Sequence, residues 1–570
     1  MRRVMSLTLV LVWLGAACAS RSGPGSSGSS ASYAPAQPVR TLVVAASAEP
    51  KTLAARIIAQ SAFSLHYRRI FNADLALLDD QSNPSAYLAE TLPRLNTDDW
   101  KVFPDGRMET TYRLKPNLVW HDGGLLTADD FVFSWQVYAT PELGQAGSLP
   151  IKLIASVEAP DDRTLLIRWS QPYAAAGALQ SLGFSAPIGL PPLPRSILGP
   201  ALESGAQALL NHSHWATEYV GLGPYRLDRW EPGAFIEASA FDRHALGAPR
   251  IQRIKMLFLT DPNTALASML SGEVQFANLP VAQASTLLRQ WPPGAGSMVP
   301  YTNAWWAAHF QGRADMVSPA ALQDRRVRQA LAHTVDRPGI NEAIYEGQNI
   351  IADSLFPSAG GLGQAANAAV TTYPFDLARS AQLMAEAGFT KPSGAEFYVG
   401  PSRERFSPEL RGTTGEFEPL TTAMAGGWRQ AGFDIQQTAL PASQVADLQA
   451  KSSYPGVAIQ SGSGGEGAIG TMSSDNIPRP ENLWRGAGLG FNGYSNPELD
   501  RLSRAFGAAL EPADQNRAAA DIVKLYSTEL PAISLFFPVS PHVFTADLTG
   551  PRLRPATSNP TWNVHEWELR

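Results

Sequence analysis

Residues 87–135 read YLAETLPRLNTDDWKVFPDGRMETTYRLKPNLVWHDGGLLTADDFVFSW. Pro93 and the Pro104-Asp105-Gly106 turn punctuate the stretch. Residues 109–114 alternate polar and apolar side chains, the period of a half-buried strand. Thr127 then stands as a natural N-cap before the apolar run 131–138, with Asp130 three residues on in the capping-box position. A strand and a capped helix therefore follow one another within thirty-odd residues.

The same alternation continues outward. Residues 41–47 (TLVVAAS) form a short apolar run expected to open the domain as a buried strand, and 52–71 have helical spacing. Residues 163–169 (RTLLIRW) read as a strand and the proline-rich segment 187–200 as a loop. Strand-like runs resume from Tyr225 as YRLDRW, FIEASA and IQRIKMLFL. Asp261 caps a helix that carries Pro262 in its first turn and stops at Gly272. Strands are expected at 303–310, 395–399, 433–438 and 533–537. Helices are expected at 325–335, at 377–387 with Gly388 as stop, at 418–431 with Gly432 as stop, and at 496–509 and 514–530. Alternating strands and helices argue an α/β architecture.

The chain is 570 residues long, with 44% apolar and 17% charged residues. That is roughly four times the ~150-residue domain prior, enough for several cores, and too apolar for disorder. A formal net charge of −6 offers no basic footprint for nucleic acid. The single cysteine excludes a disulfide framework and a cysteine-based zinc finger.

That cysteine lies in an address. Residues 1–18 read MRRVMSLTLVLVWLGAAC: two arginines, an apolar run too short to span a bilayer, small residues, then Cys18. The pattern is that of a lipoprotein signal peptide with Cys18 as lipid attachment, although Gly15 stands where such signals usually carry leucine. Residues 19–40, rich in Ser, Gly, Ala and Pro, suit a flexible linker.

Catalytic spacings are missing. The sequence has no G-x-S-x-G elbow, no Gly-Lys pair for a Walker loop and no H-E-x-x-H. His212 and His214 have no evident third ligand. The glycines at 462, 464, 465 and 467 lack a dinucleotide fingerprint around them.

The ordered blocks resemble extracellular solute-binding protein family 5, the oligopeptide-, dipeptide- and nickel-binding receptors of ABC importers. The run 87–135 carries the resemblance first, with Trp120-His121-Asp122-Gly123 and Leu126-Thr127-Ala128-Asp129-Asp130. Gly223-Pro224-Tyr225, Trp230-Glu231-Pro232-Gly233 and Leu270-Ser271-Gly272-Glu273-Val274 follow. Residues 324–337, 376–389 and Gly493-Tyr494-Ser495-Asn496-Pro497-Glu498-Leu499-Asp500 complete it, so that the resemblance covers about residues 40–570.

The resemblance implies a two-lobed periplasmic-binding-protein fold of hinged mixed α/β lobes, with an extra domain inserted in the first lobe. Lobe I would comprise 40–80, 201–300 and 541–570, the inserted domain 81–200, and lobe II 301–540. A peptide or peptide-sized organic solute would bind between the lobes and be captured by hinge closure. The partners would be that solute and the importer's permease domains. The chain would be an exported monomer, reaching the membrane only through its lipid anchor, with no cofactor, metal or nucleic acid and no enzymatic activity. In peptide-binding relatives an acidic residue in an aromatic-rich segment pairs with the ligand amine. The equivalent 457–491 begins VAIQSGSGGEGAIG and departs from that pattern, leaving only Glu466 and Asp475 as carboxylates.

Glu466 is the first candidate for a ligand cation. Trp305 and Trp306, adjacent on a strand, must face opposite ways, one toward the core and one available as a stacking surface. Arg403 and Arg405 follow the expected strand 395–399 and would reach a carboxylate from the sheet's carboxyl end. Phe63 and Trp484 are further cleft candidates. Trp120, Trp135 and Trp230 are expected in cores, and His121 is read as structural. A non-transport ligand receptor of the same fold is the alternative, and an exported hydrolase the weakest reading.

Overall fold

A computed structural model describes residues 40–570 apart from 57–66, 81–82, 144, 181–188, 303, 358–360, 416, 445–446, 483, 485–487 and 553–558. The signal-like segment with Cys18, nearly all of the linker and Phe63 lie outside the described residues.

The apolar run at the start of the body becomes strand Thr41–Ala46, central in a seven-stranded sheet. It pairs in parallel with Arg253–Phe258 and Phe276–Asn278. The remaining strands, Phe235–Ala240, Tyr225–Glu231, Val539–Thr545 and Gly296–Thr302, join antiparallel. Leu42, Val44 and Ala46 face a core with Tyr67, Ile70, Phe71 and Trp567. Ala45 faces the opposite core, with Met269 and Leu287 of helices Pro262–Leu270 and Val281–Gln290. Both faces are covered, which is why the first strand reads apolar without strict alternation. Asp261 caps its helix as expected, accepting from the Thr264 N–H at 2.7 Å.

The stretch 87–135 builds a separate four-stranded antiparallel sheet of Trp100–Val102, Met108–Arg113, Thr164–Trp169 and Ile154–Asp161. Helix Ala128–Ala139 lies against it, and the Thr127–Asp130 capping box is formed. Asp130 also accepts from the Arg195 N–H at 3.0 Å, so the cap fixes the next helix as well. His121 ties this sheet to the first. Its backbone N–H donates to Gly221 O at 3.0 Å, Nδ1 accepts from the Gly221 N–H at 3.2 Å, and Nε2–H donates to Gly223 O at 3.0 Å. Burial holds the imidazole neutral, its pKa lowered to about 4. Trp120 is buried; Trp135 and Trp230 are half-buried against the cores beside them.

A third sheet has the order Ile350–Ile351, Ala532–Phe537, Trp305–Phe310, Val457–Gly462, Glu409–Thr413, Gln436–Leu440. The last three are mutually parallel. The strand expected at 395–399 is absent: Val399 makes only single bridges to Thr390 and Arg405. A tight turn after Pro401, with Arg403 in the left-handed region at φ 64°, folds the chain back there, and the strand forms later at Glu409–Thr413. Within 52–71, only Arg68–Phe71 is described as helix.

Two chain passages connect the first and third sheets. Thr302 pairs with Val539 at the end of the first sheet, and Trp306 pairs with Phe536 at the start of the third. The crossings lie side by side, with Pro538 in the second.

Gly223 is held where a side chain cannot fit. A Cβ there would stand 2.3 Å from Phe71 C and 2.4 Å from Asn72 N, both backbone atoms. Gly223→Ala is expected to cost about 3 kcal/mol or more, at the upper end of overpacking penalties. Differential scanning calorimetry should show a clearly lower Tm; an unchanged Tm would contradict this contact.

Candidate functional site

Thr413, Leu440 and Gly462 end the three parallel strands of the third sheet on one side. Carboxyl ends of this kind are where α/β sheets meet ligands. From Gly462 the chain turns through Ser463-Gly464-Gly465 into the single helical turn Glu466–Ile469. Gly464 is compact by necessity, since a Cβ there would lie 3.0 Å from Leu355 O and 3.2 Å from the Phe537 ring. The Gly465 N–H donates to the same Leu355 oxygen at 2.7 Å, with φ at 64°. Ala468 and Ile469 anchor the turn in the core around Trp305.

Glu466 therefore projects from a rigid loop. Its carboxylate has no hydrogen bond or ion pair among the described residues. Its own surface is exposed, yet protein mass around it displaces enough water to push its carboxyl pKa above the ordinary glutamate value.

The Glu466 charge is felt at Tyr173, on the loop that leaves the four-stranded sheet. Burial pushes the Tyr173 hydroxyl up; Arg56 acts to lower it and the Glu466 charge to raise it further. That hydroxyl has no hydrogen-bond partner among the described residues. Its ring packs on Trp169 at 5.2 Å between centroids. Arg56 is buried and lies over the Tyr138 ring at 5.3 Å. It donates to Gln145 Oε1 at 3.2 Å, Gly189 O at 3.1 Å, Leu149 O at 3.0 Å and the Ser148 hydroxyl. Burial lowers its pKa to about 10, still well above neutrality. A carboxylate on the third sheet thus lies within electrostatic reach of a hydroxyl unpartnered among the described residues, and the fixed Arg56 guanidinium also acts on that hydroxyl. The carboxylate suits a cationic group, and the hydroxyl suits a polar group beside it.

The other sequence candidates lie apart from this pair or behind it. Trp305 is fully buried, opposite Gly462 in the strand pairing, and supports the glycine loop from the core. Trp306 points the other way, half-buried between Tyr345 at 5.7 Å and Phe417 at 5.2 Å. Arg403 and Arg405 precede Glu409–Thr413 and so stand at its amino end, not at the carboxyl end that the expected strand 395–399 would have given them. Both are exposed, and Arg405 pairs with Asp434 at 3.4 Å. Trp484 is half-buried in a loop, at φ 59°, its N–H donating to Arg479 O at 2.8 Å. Tyr173 and Arg56 escape the sequence reading. Tyr173 follows Ser170-Gln171-Pro172, an ordinary post-strand turn, and Arg56 falls in a segment read as helix.

Residues 90–468 match the bacterial extracellular solute-binding proteins, family 5, middle region. The chain belongs to this family. This solute-binding protein is 22% identical over 579 residues to the oligopeptide-binding protein AppA of Bacillus subtilis, covering 99% of this chain and 98% of AppA. It is 24% identical to the dipeptide-binding protein of Escherichia coli over 56% of this chain and 59% of that one. Among solved structures, NikZ of Campylobacter jejuni with Ni(L-His) is 20% identical, with a TM-score of 0.73, over 93% of this chain and 100% of NikZ. AppA of B. subtilis with a nonapeptide gives 19% identity and a TM-score of 0.67 over 93% and 99%. These neighbours are two-lobed binding proteins, and the solute-binding protein described here shares their mixed α/β fold. Among the described residues no helix is long and apolar enough to cross a membrane.

A carboxyl group whose pKa rises on folding binds more protons folded than unfolded, so its ionisation opposes folding above that raised value. Glu466→Gln removes this opposition. The unliganded variant should match or exceed the parent in Tm at pH 7, and the difference should vanish below the ordinary glutamate pKa of about 4.3. A lower Tm for the variant at pH 7 would mean that Glu466 is paired after all.

Proposed function

We propose that this chain is the binding component of an ABC importer, closing two lobes over a cationic peptide or peptide-sized organic solute. The lobes would divide as 40–80, 201–300 and 541–570 against 301–540, with 81–200 inserted. Cys18 would carry the lipid that holds the exported monomer at the membrane, and the permease domains would read the closed form. The observation that carries the reading is Glu466, an unpaired, partly desolvated carboxylate on a rigid loop. A ligand amine or guanidinium pairs with it, and the Tyr173 hydroxyl takes a neighbouring polar group of the ligand. The peptide ligands of relatives such as AppA support the class of solute.

Native mass spectrometry of the protein as purified, then after exposure to a tryptic casein digest, tests the proposal. The expected result is an added peptide mass that disappears on denaturation. Acetylating the digest to block its amines should abolish most of that load. Glu466→Gln should weaken binding about 10- to 100-fold, the worth of a charge-assisted hydrogen bond of about 1.5–3 kcal/mol. Tyr173→Phe should weaken it less while leaving Tm unchanged, because no internal hydrogen bond is lost. Equal loading by blocked and unblocked digests would exclude an amine as the bound cation, and acetylated peptides that load equally with and without arginine would overturn the cation reading.

Binding should also fall with pH. Glu466 must be ionised to hold a cation, and its raised pKa means affinity declines at a higher pH than an ordinary glutamate would allow. Isothermal titration with the digest across pH 4–8 should show this decline in the parent and not in Glu466→Gln.

A further inference from the structure

The second crossing between the sheets is held by a side chain. Asn349 belongs by backbone to the third sheet: the next two residues, Ile350 and Ile351, pair with Phe537 and Phe536. Its side chain belongs to the first sheet, because Oδ1 accepts the Val539 N–H at 3.0 Å. Residues 349–351 therefore bond to the chain on both sides of Pro538. Gly296–Thr302 pairs with Val539–Thr545 along its whole length, but on the other side the neighbouring strand Phe276–Asn278 reaches only to Asn278, opposite His542. The Val539 N–H lies beyond that end, and an amide side chain takes the place of a ladder carbonyl.

Asn349 is itself clasped. Asn341, in helix Arg337–Tyr345, donates from Nδ2 to Asn349 O at 2.8 Å and accepts the Asn349 N–H on Oδ1 at 3.2 Å. Both asparagines are buried, so these bonds are shielded from water. Two polar groups at the paired crossings, Asn349 Nδ2 at the second and Thr302 Oγ1 at the first, are buried without a partner among the described residues. Buried groups of this kind are uncommon and call for a reason. Here they lie where one sheet turns against the other, so that a rotation there can offer them partners.

We propose that Asn349 is a staple across the hinge, a positioning residue that sets the balance between open and closed lobes. The proposal rests on the reading that the lobes close over ligand. Rotation about Pro538 must keep, bend or break the Asn349–Val539 bond, so this bond weights one lobe angle against the others. Asn341 transmits the position of its helix to that bond.

The test uses the chain with Cys18→Ser, which removes its one cysteine. Spin labels are placed at exposed Leu270→Cys beside the first sheet and Leu377→Cys beside the third. Pulsed electron resonance then reads the distance distribution between the lobes without ligand. Asn349→Ala should shift or broaden it, corresponding to about a tenfold change in the open-to-closed ratio, which is about 1.4 kcal/mol. Asn341→Ala should move it in the same direction. Asn349→Asp keeps an oxygen for the Val539 N–H and should restore the parent distribution. A folded Asn349→Ala variant whose distribution overlays the parent's would overturn the staple. Adding the casein digest to the parent separates the two readings. If the digest is bound but the parent's distribution stays fixed, closure fails as a mechanism, whereas the unliganded comparison still decides whether Asn349 sets the lobe angle.

Discussion

The structure depends on two neighbouring strands crossing between two sheets. The chain passes from one sheet to the other at 302–305 and at 537–539, so a hinge between the sheets bends at these two crossings. The proposed ligand group lies next to that hinge. Gly462 pairs with Trp305, the first residue of the third-sheet strand after the crossing, and Glu466 follows four residues later. Glu466 is thus fixed to the third sheet close to the pivot, while Tyr173 travels with the other side.

What makes Tyr173 travel with the first sheet is polar docking. The inserted four-stranded sheet could move independently if it touched the first only through apolar side chains. His121 instead spends its ring nitrogens and its backbone N–H on Gly221 and Gly223. Arg56, close behind the first strand in sequence, grips the 145–149 segment and Gly189. These bonds have specific directions, so they fix an orientation as well as a contact. Burial enforces them, because a buried donor without its acceptor costs about 1–3 kcal/mol.

Elements with strong periodicity and caps were legible in the sequence. The Thr127–Asp130 box, the Asp261 cap and the helix before Gly432 all stand where capping chemistry puts them. The strand at 395–399 was misread because its short apolar run sits before a turn that only tertiary contacts reveal. That error carried Arg403 and Arg405 to the wrong end of their strand. Glu466 was legible as a carboxylate left in a glycine-rich loop. Its lack of a partner was not, because pairing depends on what the fold brings near. Tyr173 and Asn349 carry no local signature at all: one ends an ordinary turn, and the other matters only because Val539, distant in sequence, comes to meet it.

An unpaired carboxylate is a poor way to stabilise a fold and a good way to recognise a cation. Partial removal of water leaves Glu466 with less solvation than a surface glutamate and, among the described residues, no side-chain partner in exchange. In the proposed reading a ligand cation would supply the missing partner, and the interaction would be stronger for being made where water is already thinned. The gain exists only with ligand present. If closure excludes more water, the gain grows with closure, which gives the ligand the differential affinity for one state that any coupling of binding to motion requires. The glycines on either side matter for the same reason. A loop of Gly464, Gly465 and Gly467 around Glu466 has no side chains to pair with the charge or to block approach to it. The sequence thereby holds the loop through Leu355 O and the Trp305 core and places only glycines directly beside the carboxylate.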